Sequence, residues 1–156
     1  MVVAIWLFRL YDATIPTTGT DQPAVAGLQV VDSESLGATL ADSMDGSGRL
    51  RELIINDVER GTGRAVERGD TVSVHYIGTL PNGEEFDNSY NRGEPFTFRV
   101  GRGTVIQGWE EGIIGMQVGG KRILVIPPEK GYGSSGFGPI PANANLVFSI
   151  ELLEIR

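Results

Sequence analysis

The stretch VIQGWEEGIIGM, residues 105–116, decides the fold. Its apolar residues Trp109, Ile113 and Met116 recur at the i, i+4, i+7 spacing of one helix face. Two glutamates follow Trp109 directly, close to the helix start, where the helix dipole favours acidic side chains. Because Gly112 and Gly115 lower helix propensity, we expect a helix of about two turns that is held by packing.

The segments on both sides of this helix have the alternating pattern of β-strands. Residues 71–77 (TVSVHYI) place Val72, Val74 and Tyr76 on one face, and residues 95–100 place Phe96 and Phe98 on one face. Further strands are predicted at residues 50–58, 121–127 and 146–155, with a turn at 80–83 and a long Gly- and Pro-rich loop at 129–145. We predict an α+β domain in which one short helix lies on a strongly curved antiparallel sheet.

The net charge of −7 is concentrated at the start of the chain. Residues 1–48 carry six acidic residues and one arginine, and from Asp12 onward they are mainly small or polar. Such a composition cannot bury enough apolar surface to offset the chain entropy. We therefore predict two parts, a disordered acidic tether at residues 1–48 and one folded domain at residues 49–156.

Residues 1–8 (MVVAIWLF) are wholly apolar, and two interpretations of them stay open. The run is far shorter than the roughly 20 apolar residues that span a bilayer. It is either the remainder of a longer anchor, which would tether the domain to a membrane outside the cytoplasm, or a frayed start of a cytoplasmic protein.

The composition excludes several kinds of chemistry. With no cysteine and one histidine, the chain has no disulfide, thiolate site, Cys nucleophile or His-rich metal cluster. Adjacent Glu110 and Glu111 point about 100° apart on a helix and cannot form a facing carboxylate pair. His75 stands alone in a strand, where a structural role is expected. The acidic balance argues against nucleic acid as a partner. We expect neither a metal nor a cofactor.

What remains is a set of apolar side chains with one acid among them. The set consists of Tyr76, Phe86, Phe96, Val105, Ile106, Trp109, Tyr132 and Phe148. Such residues are usually core, but Trp109 and Tyr132 lie in Gly-rich contexts, and Asp87 follows Phe86 directly. A polar group among aromatic residues is typical of a ligand pocket.

Several blocks, all in order along the chain, resemble one enzyme family. They are VHY at 74–76, FDNS at 86–89, PFTF at 95–98, VIQGWEEG at 105–112, YG at 132–133, IP at 140–141 and LVF at 146–148. In this arrangement the domain resembles the FKBP-type peptidyl-prolyl cis-trans isomerases from about residue 50 to residue 156. The resemblance implies a five- or six-stranded antiparallel sheet wrapped around a short helix, with a pocket between them.

The resemblance also implies roles for the pocket residues. Trp109 would be the floor under a proline ring, and the walls would be Tyr76, Phe86, Phe96, Val105, Ile106 and Phe148. The Ile106 N–H and the Tyr132 hydroxyl would hold two substrate carbonyls, while Asp87, hydrogen-bonded to Tyr76, would lie near the twisting amide. Ile140 would close one side. Phe137 stands where the family often has His, and the loop is one residue shorter, which we interpret as changes in the substrate rim.

The implied function is cis–trans isomerisation of Xaa–Pro bonds in polypeptides, which assists protein folding. The implied partners are proline-containing polypeptides and the macrolide inhibitors of the family. Because residues 1–48 lack the long helical pattern of dimerising relatives, we expect a monomer. The alternative is a non-catalytic module that binds proline-containing segments, or a holdase chaperone.

Overall fold

The computed structural model of the protein describes residues 40–156, which form a curved antiparallel sheet with short helices. The strands are β1 (Ile54–Glu59), β2 (Thr71–Thr79), β3 (Glu85–Asn88), β4 (Phe96–Arg99), β5 (Lys121–Ile126) and β6 (Leu146–Ile155). The helices are α1 (Ser89–Arg92) and α2 (Gln107–Gly112), with a 3-10 turn at Pro128–Lys130. The strand order is β1-β5-β6-β2-β3, and β4 also pairs with β2. The predicted α+β fold class is confirmed.

The strong alternating patterns produce strands close to their predicted bounds. β6 begins and ends as predicted, and β2 runs two residues beyond Ile77. The strand predicted at 50–58 begins only at Ile54. Helix α2 is six residues long and ends at Gly112, because Gly115 adopts a left-handed φ of 76°. The apolar residues Ile113 and Met116 lie beyond its end and still enter the core.

β3 and α1 were not predicted from the sequence, and they follow each other without a loop. β3 has only four residues, too few for a period, and it forms through its pairing with β2. In α1 the Asn88 side chain accepts a hydrogen bond from the Tyr90 N–H, and Gly93 ends the helix with a φ of 74°. Asn88 and Gly93, the residues that cap the two ends of the helix, were the features of the sequence that could have predicted α1.

Helix α2 lies against β5 at a distance that only glycine permits. A Cβ atom on Gly108 would lie 2.5 Å from Ile126 Cγ2, and one on Gly112 would lie 2.6 Å from Leu124 Cδ1. The two glycines are four residues apart and therefore share one helix face. Glycine has a low helix propensity, but its missing side chain permits this close contact, which fixes the helix on the sheet.

A buried arginine holds the end of α2 to the sheet. Arg122 Nη1 donates to the carbonyl of Gly112 (2.8 Å), the last residue of α2, and to that of Ile114 (2.9 Å), two residues further on. Its Nε and Nη2 donate to the Asp57 carboxylate on β1 at 2.5 and 2.9 Å. The side chain of Arg122 is only 6% exposed, so one guanidinium joins β1, β5 and α2 in the interior.

Part of the predicted tether packs on the domain. Residues 43–51, which we call the strap, form a small hairpin closed by the Met44–Leu50 bridge. Leu50 is buried with Ile54 and Val125, and Met44 packs against this cluster. The rest of the tether and the predicted anchor at residues 1–8 lie outside the described residues. Within residues 40–156, no helix has the length and apolar character needed to cross a membrane.

We predict that Gly108→Ala destabilises the domain by about 1 kcal/mol, the central difference between an overpacking cost and a gain in helix propensity. The added methyl group would overlap Ile126, and overpacking of this kind costs about 1–3 kcal/mol, which exceeds the roughly 1 kcal/mol gained in helix propensity. Urea denaturation measures the change. Gly46→Ala is the matched control, because a Cβ atom there meets nothing within 4 Å. A Gly108→Ala variant as stable as this control would refute the close-contact argument.

Candidate active site

A cleft of about 580 Å³ opens between α2, the inner face of the sheet and the loop before β6. Its lining consists of Tyr76, Phe86, Asp87, Phe96, Gly103, Thr104, Val105, Ile106, Trp109, Tyr132, Phe137, Pro139, Ile140 and Phe148. All the residues predicted for the site are in this set. The structure therefore brings together segments that lie up to 72 positions apart in the sequence.

Trp109 lies at the bottom of the cleft, packed by four aromatic rings, one of which is the tilted Phe98 at 5.6 Å. Its ring meets those of Tyr76 (5.0 Å between centroids) and Phe148 (5.2 Å) edge to face, and Phe96 approaches at 6.1 Å. Phe86 extends this wall by an edge contact with Phe148. Trp109 is 4% exposed, whereas Phe96 at the mouth is 36% exposed. These perpendicular contacts are the favoured geometry of aromatic pairs, and they hold the floor rigidly.

One side of the cleft carries a polar group of three side chains. The Tyr76 hydroxyl donates to Asp87 Oδ2 at 2.5 Å, and Arg92 Nη2 donates to the Tyr76 oxygen at 2.7 Å. Arg92 Nη1 pairs with Asp87 Oδ1, which also accepts from the Asn88 N–H. The guanidinium lies over the Tyr76 ring at 5.4 Å from its centroid. This closed network fixes the carboxylate at the edge of an apolar cleft.

The network keeps Asp87 ionised. Burial alone would raise the pKa of Asp87, but the hydrogen bonds from Tyr76 and Arg92 outweigh it and lower the pKa below its ordinary value of 3.8. Burial raises the pKa of the Tyr76 hydroxyl, and the hydrogen bond to the anionic Asp87 raises it further. At neutral pH the tyrosine is therefore a donor and the aspartate an anion.

Besides Trp109 Nε1, which is buried without an acceptor, two donors predicted for the site have no acceptor among the described residues. They are the backbone N–H of Ile106, just before α2, and the hydroxyl of Tyr132. Burial raises the pKa of Tyr132, with a further contribution from the charge of Asp87, so its hydroxyl keeps the proton. An apolar cleft with two free donors suits a ligand that is apolar and rich in carbonyl oxygens.

The open side of the cleft is formed by residues 131–145, which we call the pocket loop. Phe137 at its tip is 67% exposed and stacks on the Tyr132 ring at 5.2 Å with an interplanar angle of 15°. Phe137 and Ile140 exchange two backbone hydrogen bonds, and Ile140 turns inward to be 5% exposed. Phe137 thus lies where an arriving chain would first touch the cleft.

Four residues at or beside the cleft were not predicted from the sequence. Gly103, Thr104 and Pro139 complete its rim, and Arg92 lies behind Asp87. Arg92 occupies the last position of α1, so its role follows from a helix that the pattern did not reveal.

The residues interpreted as structural lie outside the cleft. His75 bonds to Ser89 and stacks on Tyr90 on the other side of β2. Glu110 accepts hydrogen bonds from the backbone of Gly101 and Gly103, while Glu111 pairs with Lys130, so the two glutamates act separately.

Comparison with known proteins connects this site to one family. The family model described as FKBP-type peptidyl-prolyl cis-trans isomerase matches residues 62–153. FK506-binding protein 4 of Chaetomium thermophilum is 59% identical over 107 residues, which are 69% of this chain and 22% of that protein. The FK506-binding protein of Neisseria meningitidis serogroup A is 49% identical over 68% of this chain and 98% of its own length. The chain thus spans only about a fifth of the first of these relatives.

A solved structure has the same fold. The crystal structure of AtFKBP13 superposes with a TM-score of 0.64 and 42% identity, covering 73% of this chain and 98% of that one.

We predict that Arg92→Leu raises the pKa of Asp87, because it removes two of the effects that lower it and leaves the burial that raises it. In the unaltered protein the folded-state pKa lies below the unfolded one. Asp87 therefore contributes stability above the unfolded pKa and loses it as the pH falls through the folded pKa. A carboxyl ¹³C NMR titration measures the shift. Arg60→Leu, at an exposed arginine far from the cleft, is the control. An Asp87 titration that is the same in both variants would contradict the network.

Proposed function

Because the chain belongs to the FKBP-type peptidyl-prolyl cis-trans isomerase family, we propose that it catalyses cis–trans isomerisation of Xaa–Pro bonds and thereby assists polypeptide folding. The observation that carries this proposal is the cleft itself: an aromatic floor at Trp109, with unpaired donors at Ile106 and Tyr132. The substrates are proline-containing segments of other polypeptides.

The reaction needs no nucleophile and no proton transfer. Rotation about a peptide bond faces a barrier of about 18–20 kcal/mol, because amide resonance is lost in the twisted state. The two isomers of an Xaa–Pro bond differ by only about 0.5–1 kcal/mol, so both are populated and exchange slowly. A catalyst therefore has only to favour the twisted amide over the planar one.

The apolar cleft favours the twisted amide by excluding water. A planar amide is strongly polar, and its carbonyl loses much of that polarity when resonance is broken. Transfer from water into the cleft therefore costs the planar form more than the twisted form. In this proposal the proline ring lies on Trp109 between Tyr76 and Phe148. A proline ring is apolar and its nitrogen carries no hydrogen, so it suits a floor without acceptors.

The two free donors hold the chain on either side of the rotating bond. The Ile106 N–H binds one carbonyl and the Tyr132 hydroxyl binds a second, while the bond between them turns. Asp87 contributes a fixed negative charge beside the amide and holds Tyr76 in place. We assign it mainly an orienting role, since its own bonds are already satisfied by Tyr76, Arg92 and Asn88.

The relatives named as FK506-binding proteins suggest a ligand class. We propose that macrolides of that kind occupy the same cleft as competitive inhibitors, because they combine an apolar body with carbonyl acceptors. We further propose that the domain acts as a monomer.

We predict that Tyr132→Phe lowers kcat/KM about fivefold while the fold stays intact. The change deletes one hydroxyl and keeps the ring stacked on Phe137, and a single hydrogen bond contributes about 1 kcal/mol. NMR exchange spectroscopy on an Ala-Leu-Pro-Phe peptide measures the rate, with and without a macrolide inhibitor. Tyr90→Phe is the matched control, since its hydroxyl bonds Glu151 on the other side of the sheet.

Equal rates in the Tyr132→Phe variant and in the control would remove Tyr132 from the mechanism. If the unaltered protein bound the peptide without accelerating its exchange, the catalytic proposal would fail and the domain would be a binding module. Suppressed aggregation that survives Trp109→Ala would instead indicate a holdase.

A further inference from the structure

The strap, residues 43–51, contacts the two ends of the segment that carries the pocket loop. The strap is itself ordered by Asp45, whose carboxylate accepts from the N–H groups of Ser47 and Arg49 and from the Ser47 hydroxyl. The Arg51 N–H donates to the Ser43 carbonyl at 2.9 Å and closes the hairpin. Below it, Leu50 is 2% exposed and fixes the hairpin on the sheet.

The first contact is made by a buried amide at the end of the pocket loop. Asn145 Oδ1 accepts from the Leu50 N–H at 3.0 Å, and Asn145 Nδ2 donates to the Gly48 carbonyl at 2.9 Å. The Asn145 side chain thus pairs with the strap backbone as a neighbouring strand would. It is 7% exposed, so the loss of these bonds would leave buried polar groups unpaired.

The second contact lies at the other end of the same segment. Arg49 pairs with Glu129, which belongs to the 3-10 turn just before the pocket loop. Glu129 is three residues from Tyr132. The strap therefore forms an ion pair with Glu129 and hydrogen bonds with the side-chain amide of Asn145. The loop between these two residues carries Tyr132, Phe137 and Ile140.

Between these two points the pocket loop is held by its own backbone and by Ile140, which is 5% exposed and packs in the main hydrophobic core. The Gly133 N–H donates to the Pro128 carbonyl, and the Asn143 N–H donates to the Gly133 carbonyl, both at 2.8 Å. These bonds define the shape of the loop, but they do not tie it to the sheet. Ile140 anchors the middle of the loop in the core, and the position of Tyr132, close to the start of the loop, depends also on how the ends are fixed.

We propose that the strap positions the pocket loop over the cleft and thereby sets the rate of isomerisation, with Asn145 and Arg49 as positioning residues. This inference rests on the proposed isomerase function. The physical reason is preorganisation: a loop that is already in place loses less entropy when substrate binds, and it holds the Tyr132 hydroxyl in register with its carbonyl. If the loop were loosely held, the Tyr132 hydroxyl would be within bonding distance of the carbonyl in only some of the conformations of the loop.

The main test is Asn145→Ala in the full chain. We expect kcat/KM to fall about tenfold, because a misplacement of about 1 Å can cost about 100-fold and a smaller displacement is expected here. We also expect faster amide hydrogen exchange at Gly133 and Asn143. Val72→Ala is the control, because it destabilises the core of β2 without contacting the loop. It should lower the melting temperature with little change in kcat/KM or in exchange at the two loop amides.

The second test exchanges a pair of charges and does not depend on how well the Asn145 variant folds. Arg49→Glu should lower kcat/KM about twofold to fivefold, the range for an exposed pair, and Arg49→Glu with Glu129→Arg should restore it. Arg51→Glu is the matched control, two residues along, because its side chain has no hydrogen-bond partner among the described residues.

The outcomes separate this inference from the proposed function. Slow peptide exchange with the unaltered protein would overturn the isomerase proposal. An active protein whose Asn145→Ala variant keeps both its kcat/KM and its loop protection would overturn the role of the strap, as would an Arg49→Glu variant that the charge exchange does not rescue. A variant that loses only thermal stability, as Val72→Ala does, would reduce the strap to a stabilising extension.

Discussion

The contact between α2 and β5 is the constraint on which the rest of the molecule depends. Gly108 and Gly112 let the helix backbone lie directly on Ile126 and Leu124, and Trp109 between them then points to the cleft. A helix held further from β5 by one methyl group would shift the Trp109 ring relative to Tyr76 and Phe148. The centroids of these two rings lie 5.0 and 5.2 Å from that of Trp109. Low helix propensity at these positions is thus the cost of placing the floor accurately.

The cleft keeps hydrogen-bond donors without partners, which stable proteins normally avoid. Trp109 Nε1 is buried with no acceptor in the described part of the chain, and the Ile106 N–H and Tyr132 hydroxyl likewise find none there. An unsatisfied buried donor costs about 1–3 kcal/mol. The satisfied network of Tyr76, Asp87 and Arg92 beside them shows the contrast. The three side chains of this network are paired with one another, whereas the named donors of the lining find no acceptor among the described residues.

Sequence patterns predicted the strands in which apolar and polar side chains alternate regularly. β2 and β6 are nine and ten residues long, and alternation is clear over seven residues of each, at 71–77 and 146–152. The cleft residues were implied by the family resemblance of the blocks around Trp109 and Tyr132. β3 and α1 were missed because four residues do not establish a period, and Arg92 was missed with them. Residues 40–48 were grouped with an acidic tether by composition. Composition averages over a segment and does not detect one buried pairing such as Asn145 with Gly48 and Leu50.

The floor and the rim of the cleft are held by different forces, so they can change independently. The floor belongs to a close-packed interior in which Ile113, Leu124, Ile150 and Leu152 are fully buried, and any change of volume there is opposed by every neighbour. The rim belongs to a loop that Ile140 anchors in the core and that is otherwise fixed by hydrogen bonds and one exposed ion pair, which are local and weaker. Under the proposed function, a side chain at the rim such as Phe137 can therefore alter which chains are accepted without disturbing the floor at Trp109.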